Sequence, residues 1–234
     1  MHIKIASISK TLGTVHTLDD ISLHVKQQEF VVILGPSGCG KSTLFNIIAG
    51  LIEPDKGQVF INDEDLTGKT GKISYMQQKD LLLPSRRVLD NVSIPLLLKG
   101  VSKKAARSQA QKHLPLFGLE DFAEYYPGQL SIGMRQRAAL LRTFLFSSEI
   151  LLLDEPFAAL DAITRRKMHL WLKEIQERFH SSILFITHDI DEALFMADRI
   201  YVFSERPAHI KEEIRLIKGA DNTALKERIL GLLG

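Results

Sequence analysis

The sequence of 234 residues contains one cysteine, Cys39, so no internal disulfide can form and a reducing compartment fits. It lacks any apolar run approaching the roughly 18 residues that a membrane span needs. It also lacks a signal-peptide opening, since Met1–Lys10 already reads as a strand with interspersed polar residues. These absences predict a chain that does not itself cross a membrane, and they leave docking onto a membrane partner open. Excess charge is missing as well: a net charge of +2 gives no electrostatic case for nucleic-acid binding. Repeats, low-complexity segments and sustained heptads are absent, which excludes a long coiled-coil insert. What is present is 45% apolar residues, enough for a sizeable core in one large domain or a domain with a subdomain.

Gly35-Pro36-Ser37-Gly38-Cys39-Gly40-Lys41-Ser42 fits G-x-x-x-x-G-K-[ST] at every fixed position, the loop that cradles nucleotide phosphates. An apolar, β-branched run, Glu29–Leu34, precedes it, and Thr43–Leu51 reads as a helix start. Strand, glycine loop and helix are the setting this motif requires. Glycines let the backbone turn sharply and approach phosphates without a Cβ in the way. Successive N–H groups and a helix N-terminus then face the anion. Lys41 reaches the β- and γ-phosphates, and the Ser42 hydroxyl suits Mg²⁺, which prefers hard oxygen ligands. Thr43 continues the motif. Cys39 has two readings: a thiol activated by the helix N-terminus and Lys41, or simply a small residue tolerated in the loop.

Short strands are predicted at His2–Ile8, Ile21–Val25, Glu29–Leu34, Gln58–Ile61 and Ile73–Met76, a β-rich opening that is partly antiparallel. From Pro84 to Ser148 the apolar period becomes helical, through Val88–Leu98, Lys103–Phe117 and Ile132–Phe146. The basic residues Lys99, Lys103, Lys104 and Arg107 read as a solvated helix face. Ile150–Leu153 and Ser182–Thr187 are continuous apolar runs, as expected of central strands in a parallel sheet. Helices follow at Asp161–Phe179 and Asp189–Ala197, a strand at Arg199–Phe203 and a terminal helix at Ala220–Leu233.

Ile150–Leu153 ends in Asp154-Glu155, and a parallel strand presents its C-terminal end to the ligand crevice. Asp154 would hold Mg²⁺ through water, and Glu155 would polarise an attacking water as a general base. Two solvated acids capping a strand are the plain alternative.

In this order the residues resemble the nucleotide-binding subunit of ATP-binding cassette (ABC) transporters, from Ile3 to about Ile217. The resemblance implies an α/β P-loop NTPase fold of the ABC-ATPase type. Its parts are a mostly parallel RecA-like sheet, an N-terminal antiparallel β-subdomain and a helical insert. The expected division is a catalytic core with β-subdomain at 1–83 and 149–217, a helical subdomain at 84–148 and a C-terminal helix at 218–234. Gln78 matches the family's Q-loop glutamine, with Gln77 an adjacent rival; its implied role is to contact Mg²⁺ and the attacking water. Leu130-Ser131-Ile132-Gly133-Met134 falls where the signature L-S-G-G-Q belongs, implying that Ser131 and Gly133 bind the γ-phosphate of ATP held by a second subunit. Ser131 is also a good N-cap. Ala159-Leu160-Asp161 matches the D-loop at the dimer interface, and His188 matches the switch histidine that touches the γ-phosphate.

Several positions depart from the family pattern, Met134 among them, in place of the signature glutamine. Ile132 replaces the first signature glycine, and a β-branched residue there disfavours positive φ and adds bulk where phosphate must come close. Leu12 stands where an aromatic residue usually stacks on adenine, so the base is expected to rest on Leu12 and Val15, or on His16 instead. The stretch Phe203–Ile210 is similar to one in the nitrate, sulfonate, taurine and thiamine-precursor importers, with Ala208 and His209 replacing a glycine and an arginine. A strand-to-turn element without a substrate role is its plain reading.

The resemblance implies the ATP-hydrolysing motor of a prokaryotic importer, with ATP and Mg²⁺ as cofactors. Implied partners are a second copy in an ATP-sandwiching homodimer, a separate permease, and indirectly an extracytoplasmic solute-binding protein. The implied location is the cytoplasmic face of the membrane. Ile132 and Leu12 motivate an alternative, an ATP-binding regulatory or scaffold subunit with weak hydrolysis.

Overall fold

A computed structural model describes residues 2–217 and 222–234. These residues form ten strands and seven α-helices. Strands β1 (Ile3–Leu12), β2 (Val15–Val25), β4 (Lys56–Ile61) and β5 (Glu64–Asp65) form one antiparallel sheet in the order β2-β1-β4-β5. A second sheet of six strands runs β10-β9-β3-β8-β7-β6. Its members are β3 (Phe30–Leu34), β6 (Ser74–Met76), β7 (Ile150–Asp154), β8 (Ser182–Thr187), β9 (Arg199–Phe203) and β10 (Ile210–Arg215). Every pairing in it is parallel except β10 against β9.

The continuous apolar runs are explained by burial on both faces. In β3, Phe30, Val32 and Leu34 pack into one core, while Val31 and Ile33 enter a second. β8 splits likewise, with Ile183 and Phe185 on one side and Leu184 and Ile186 on the other. The first core joins the sheet to helices α2 (Val88–Leu98), α4 (Ile132–Phe146) and α5 (Ala162–Phe179). The second joins it to helix α1 (Lys41–Ile48) and to the antiparallel sheet through Ile3, Ile5, Leu23 and Val25. A strand with two dry faces needs no polar alternation, which is why its period is invisible in sequence.

Several expected boundaries shift, each for a local reason. β1 and β2 run to a two-residue turn at Gly13-Thr14, with Leu12 opposite Val15, so both exceed the apolar stretches that predicted them. The helix expected over Lys103–Phe117 ends as α3 (Lys103–His113); Pro115, which lacks an N–H, then opens a separate 3₁₀ turn. Helix α1 starts at Lys41 rather than Thr43 because Gly40 already occupies its N-cap, with φ of 133°. Helix α6 spans Ile190–Met196, with Asp189 as its N-cap. Strand β10 is an addition to the predicted set. Of the predicted terminal helix, Thr223–Leu233 forms α7, while Ala220 lies outside the described residues.

The parallel register brings one edge together. Asp154 pairs with Ile186, Leu34 with Thr187, and Leu34 with Val202. The segments that leave β3, β7, β8 and β9 therefore emerge side by side: the glycine loop, Glu155, His188 and the turn after Phe203.

Candidate functional site

A cleft of about 400 Å³ opens at this carboxyl edge. Ser37, Gly38, Gly40, Lys41, Ser42 and Thr43 line it from the glycine loop, Asp154, Glu155 and Gln78 from the opposite side, and Leu12, Val15 and Thr17 from the β1–β2 turn. Lys41 is buried and donates to the carbonyls of Gly35 and Pro36, each at 2.8 Å, which holds its ammonium inside the loop. Gly40 is required twice over: its φ is positive, and a Cβ there would lie 2.9 Å from Leu18 Cδ2. Gly35, Pro36 and Cys39 do not line the cleft. Gly35 faces Phe203, and Cys39 packs into the second core. Burial pushes the Cys39 thiol up despite nearby Lys41 and Arg206, which favours the small-residue reading over the activated thiol.

Asp154 is 4% exposed, and burial raises its carboxyl above the ordinary range, against hydrogen bonds from the Ser42 hydroxyl and Tyr75. The Tyr75 hydroxyl donates to Asp154 Oδ2 at 3.3 Å, and its own ionisation is pushed up by burial and by that carboxylate. Glu155 adopts φ of 45°, an uncommon conformation for a non-glycine residue and one that collects at functional sites. Its backbone N–H donates to Ile186 O at 3.1 Å, which fixes this bend. One carboxylate oxygen accepts from Gln78 Nε2 at 3.2 Å, and the other lies 3.2 Å from His188 Nδ1. Thus the three residues expected to be catalytic, Glu155, His188 and Gln78, meet in one hydrogen-bonded cluster beside the loop. Gln77 lines a different groove with Leu81, Leu83 and Pro95, so the rivalry resolves toward Gln78.

Ser42, Asp154 and Gln78 supply hard oxygens around the cleft, a donor set that suits Mg²⁺. Among the described residues no three or more His, Cys, Asp or Glu side chains converge as a metal cluster.

Ser131, Ile132, Gly133 and Asp161 are not in this cleft. They line a separate cavity of about 420 Å³ with Leu160, Thr164 and Trp171. Ser131 caps α4, accepting from Met134 N at 3.3 Å, and Asp161 caps α5, accepting from Ile163 and Thr164 N–H groups. The Thr164 hydroxyl foremost, then the Thr164 and Ile163 N–H groups, hold the Asp161 carboxyl below the ordinary range. Ile132 is the first residue of α4, and neither it nor Gly133 has positive φ. The conformational objection to isoleucine is therefore overturned, and only its bulk, half exposed at the cavity rim, remains.

Leu12 and Val15 are both partly exposed on the cleft wall, as expected of an aliphatic base platform. His16 instead lies 3.7 Å from Asp19 and does not line the cleft. Two groups escaped the sequence reading. His169 Nε2 lies 2.5 Å from Glu192 Oε1, and Thr187 Oγ1 donates to the other oxygen of Glu192. This buried trio ties α5 to the segment carrying His188; His169 is 23 residues from Glu192, and no local pattern marks the three. Arg206 also lines the cleft, with Nε donating to the Gly38 carbonyl.

Comparison with known proteins agrees with this geometry. A family profile described as "ABC transporter" matches residues 18–158. The chain is 45% identical over 199 residues to the formylaminopyrimidine import ATP-binding protein of Halalkalibacterium halodurans, covering 85% of this chain and 78% of that protein. It is 39% identical over 232 residues to the nitrate import ATP-binding protein of Synechocystis, covering 97% and 87%. A solved dimeric ATP-binding cassette, in a post-hydrolysis state with ADP and phosphate, superposes with a TM-score of 0.80 at 33% identity, covering 92% of this chain and 99% of that one.

Proposed function

The chain belongs to the ATP-binding subunits of ABC transporters, ATPases with importer-type relatives, and from that premise we propose that it drives uptake of a small solute through a separate permease. The solute class suggested by the relatives is a small nitrate-, sulfonate-, taurine- or thiamine-precursor-like molecule. The observation that carries the hydrolytic reading is the cluster around Glu155: a bent backbone, a buried Asp154 beside it, and Gln78 and His188 on its two oxygens. With ATP in the cleft, the loop N–H groups and Lys41 orient the phosphates, and Glu155 takes the proton of the attacking water. Gln78 and His188 hold that carboxylate and report on the γ-phosphate. Magnesium, if bound, would be held by Ser42, Asp154 and Gln78 and would neutralise charge on the phosphates.

A second copy completes the site. Ser131, Gly133 and Asp161 lie in their own cavity, so one chain offers a phosphate cleft and, apart from it, a signature surface for a partner's nucleotide. Two copies facing each other would sandwich two ATP molecules; hydrolysis would release them, and the permease would read the change as alternating access. The groove between Leu81, Leu83, Pro95, Leu98 and Phe146, about 510 Å³, would receive the permease on the cytoplasmic side of the membrane, with a solute-binding protein acting across it. Among the described residues no helix is long and apolar enough to cross a membrane. Lys79 and Arg86 are exposed beside this groove, whereas the Asp80 carboxylate is 3.2 Å from Arg135 Nε. Charge reversal of Lys79 or Arg86 is therefore the cleaner probe of docking, since reversal of Asp80 also breaks an internal pair.

The test is ATP hydrolysis and ATP-dependent dimerisation of the chain beside Glu155→Gln. We expect turnover to fall by about 10²–10⁴-fold in the variant, with an ATP-held dimer retained. Equal turnover in the two proteins would reject Glu155 as the base.

A further inference from the structure

We infer that Arg206 is a polyphosphate-binding residue of the cleft, a second fixed cation beside Lys41; this rests on the reading of the cleft as an ATP site. Strand β9 lies next to β3 in the sheet, so the turn after Phe203 emerges beside the glycine loop that follows Leu34. That turn is fastened on both sides. Ser204 N donates to His209 O at 3.0 Å, His209 N returns a bond to Ser204 Oγ at 3.0 Å, and the Ser204 hydroxyl lies 2.9 Å from His209 Nδ1. Fully buried Ala208 joins the turn to β2: its N–H donates to Thr17 O, and its carbonyl accepts from Asp19 N, both at 2.9 Å. The two departures at 208 and 209 thus have places in this turn, since Ala208 has no positive φ and His209 closes the bond to Ser204.

Arg206 is carried at the tip. Its Nε donates to the Gly38 carbonyl, which aims the rest of the guanidinium into the cleft wall. Gly38 allows this approach, because a Cβ there would lie 3.2 Å from Arg206 Nη2. Among the described residues Arg206 forms no ion pair, and its terminal amino groups take no hydrogen-bond acceptor from the protein. An arginine presents five donors in a planar fork that matches phosphate oxygens. Lys41 meanwhile directs its ammonium partly to the Gly35 and Pro36 carbonyls. A bound triphosphate carries more negative charge than one lysine answers, and it faces Asp154 and Glu155 across the cleft. Arg206 supplies a further cation on the loop side, and among the described residues its chain neighbour Glu205 forms no ion pair with it.

The experiment is equilibrium binding of ATP, ADP and adenosine to the full chain, at low and high salt, for the native protein, Arg206→Gln, Arg206→Lys and Lys41→Ala. We expect Arg206→Gln to weaken ATP and ADP by about tenfold, to flatten their salt dependence and to leave adenosine unchanged. Arg206→Lys should recover most of the loss. Binding of ATP and ADP by Arg206→Gln within twofold of native, while Lys41→Ala has lost it, would overturn the inference and leave the ATP site standing. Equal losses in Gln and Lys variants, with adenosine weakened too, would make Arg206 a brace for the loop and would also overturn it. A native chain that binds neither nucleotide would remove the ATP site itself, and the role of Arg206 with it.

Discussion

A carboxylate buried at the end of β7 works against the fold until a cation meets it. Asp154 is that carboxylate, and burial raises its ionisation above the ordinary value. For an acid shifted upward, the cost is absent below the unfolded value and fully present above the folded one, so it is felt near neutral pH. Asp154→Asn should therefore unfold at a higher temperature than native without nucleotide, by roughly 2–4 °C for each kcal/mol relieved. Calorimetry with and without magnesium and ATP checks this, since the ligands should stabilise native far more than the variant. Ile132 is a different case: half exposed and helical, it fills no core. Ile132→Gly should lower the thermal midpoint slightly, since glycine costs up to about 1 kcal/mol in a helix, yet raise turnover by clearing the signature surface. Parallel melting and ATPase assays decide it. Of the site, the glycine loop, Asp154 and Glu155 were legible from the strands they follow, and Gln78 and His188 from the family resemblance. Arg206 and the His169–Glu192–Thr187 trio were not, because only the sheet's register and the packing of α5 on α6 bring them there.

Between the phosphate cleft and the helical elements runs the segment from Gln78 to Arg87, and side chains of two helices hold it. Asn91 on α2 is fully buried; its Oδ1 accepts from Leu83 N at 2.7 Å, and its amide donates to the carbonyls of Leu83 and Arg86. Arg142 on α4 donates to the carbonyls of Asp80 and Leu81. Arg135 links Asp80 to the carbonyl of Leu130, next to Ser131. Asn91→Ala would leave several peptide groups without partners, at a cost of about 1–3 kcal/mol. The expected result is faster amide exchange at Leu83, with ATP affinity preserved, as read by hydrogen exchange and nucleotide titration. Elements with unbroken apolar runs, such as β3, β7 and β8, were readable because both faces are dry. The outer half of the β1–β2 hairpin and β10 were not, because their residues are mostly polar or exposed and only pairing with a neighbour defines them. Helix α3 was overrun at its end because apolar Leu114, Leu116 and Phe117 continue the helical period past a proline that breaks it.

Across the whole molecule the two sheets are joined near the edge opposite the cleft by a buried cation. Arg199, 1% exposed, is bonded to Glu29, to Glu213 and to His24, whose Nε2 lies 2.5 Å from its Nη1. His24 must be neutral to accept that bond, and burial followed by Arg199 lowers its affinity for protons. Burial likewise lowers His2 and His113. A histidine lowered in the folded state costs nothing above its unfolded value near 6.5, and costs progressively more as pH falls below it, because the unfolded chain protonates first. Stability should therefore decline as pH drops below about 6.5, and His24→Gln should flatten that decline; urea melts at several pH values measure both.

If two copies pair as proposed, the separation of the phosphate cleft from the cavity of Ser131 and Asp161 would make the working unit a pair of halves, and that would alter the arithmetic of damage. A chain crippled at Lys41 still carries a sound signature surface, and one crippled at Ser131 still carries a sound cleft. Mixed, two inactive proteins would in that pairing build one whole site between them. In a cell expressing both, the dose of each defective copy, rather than the defect alone, would decide how much transport survives.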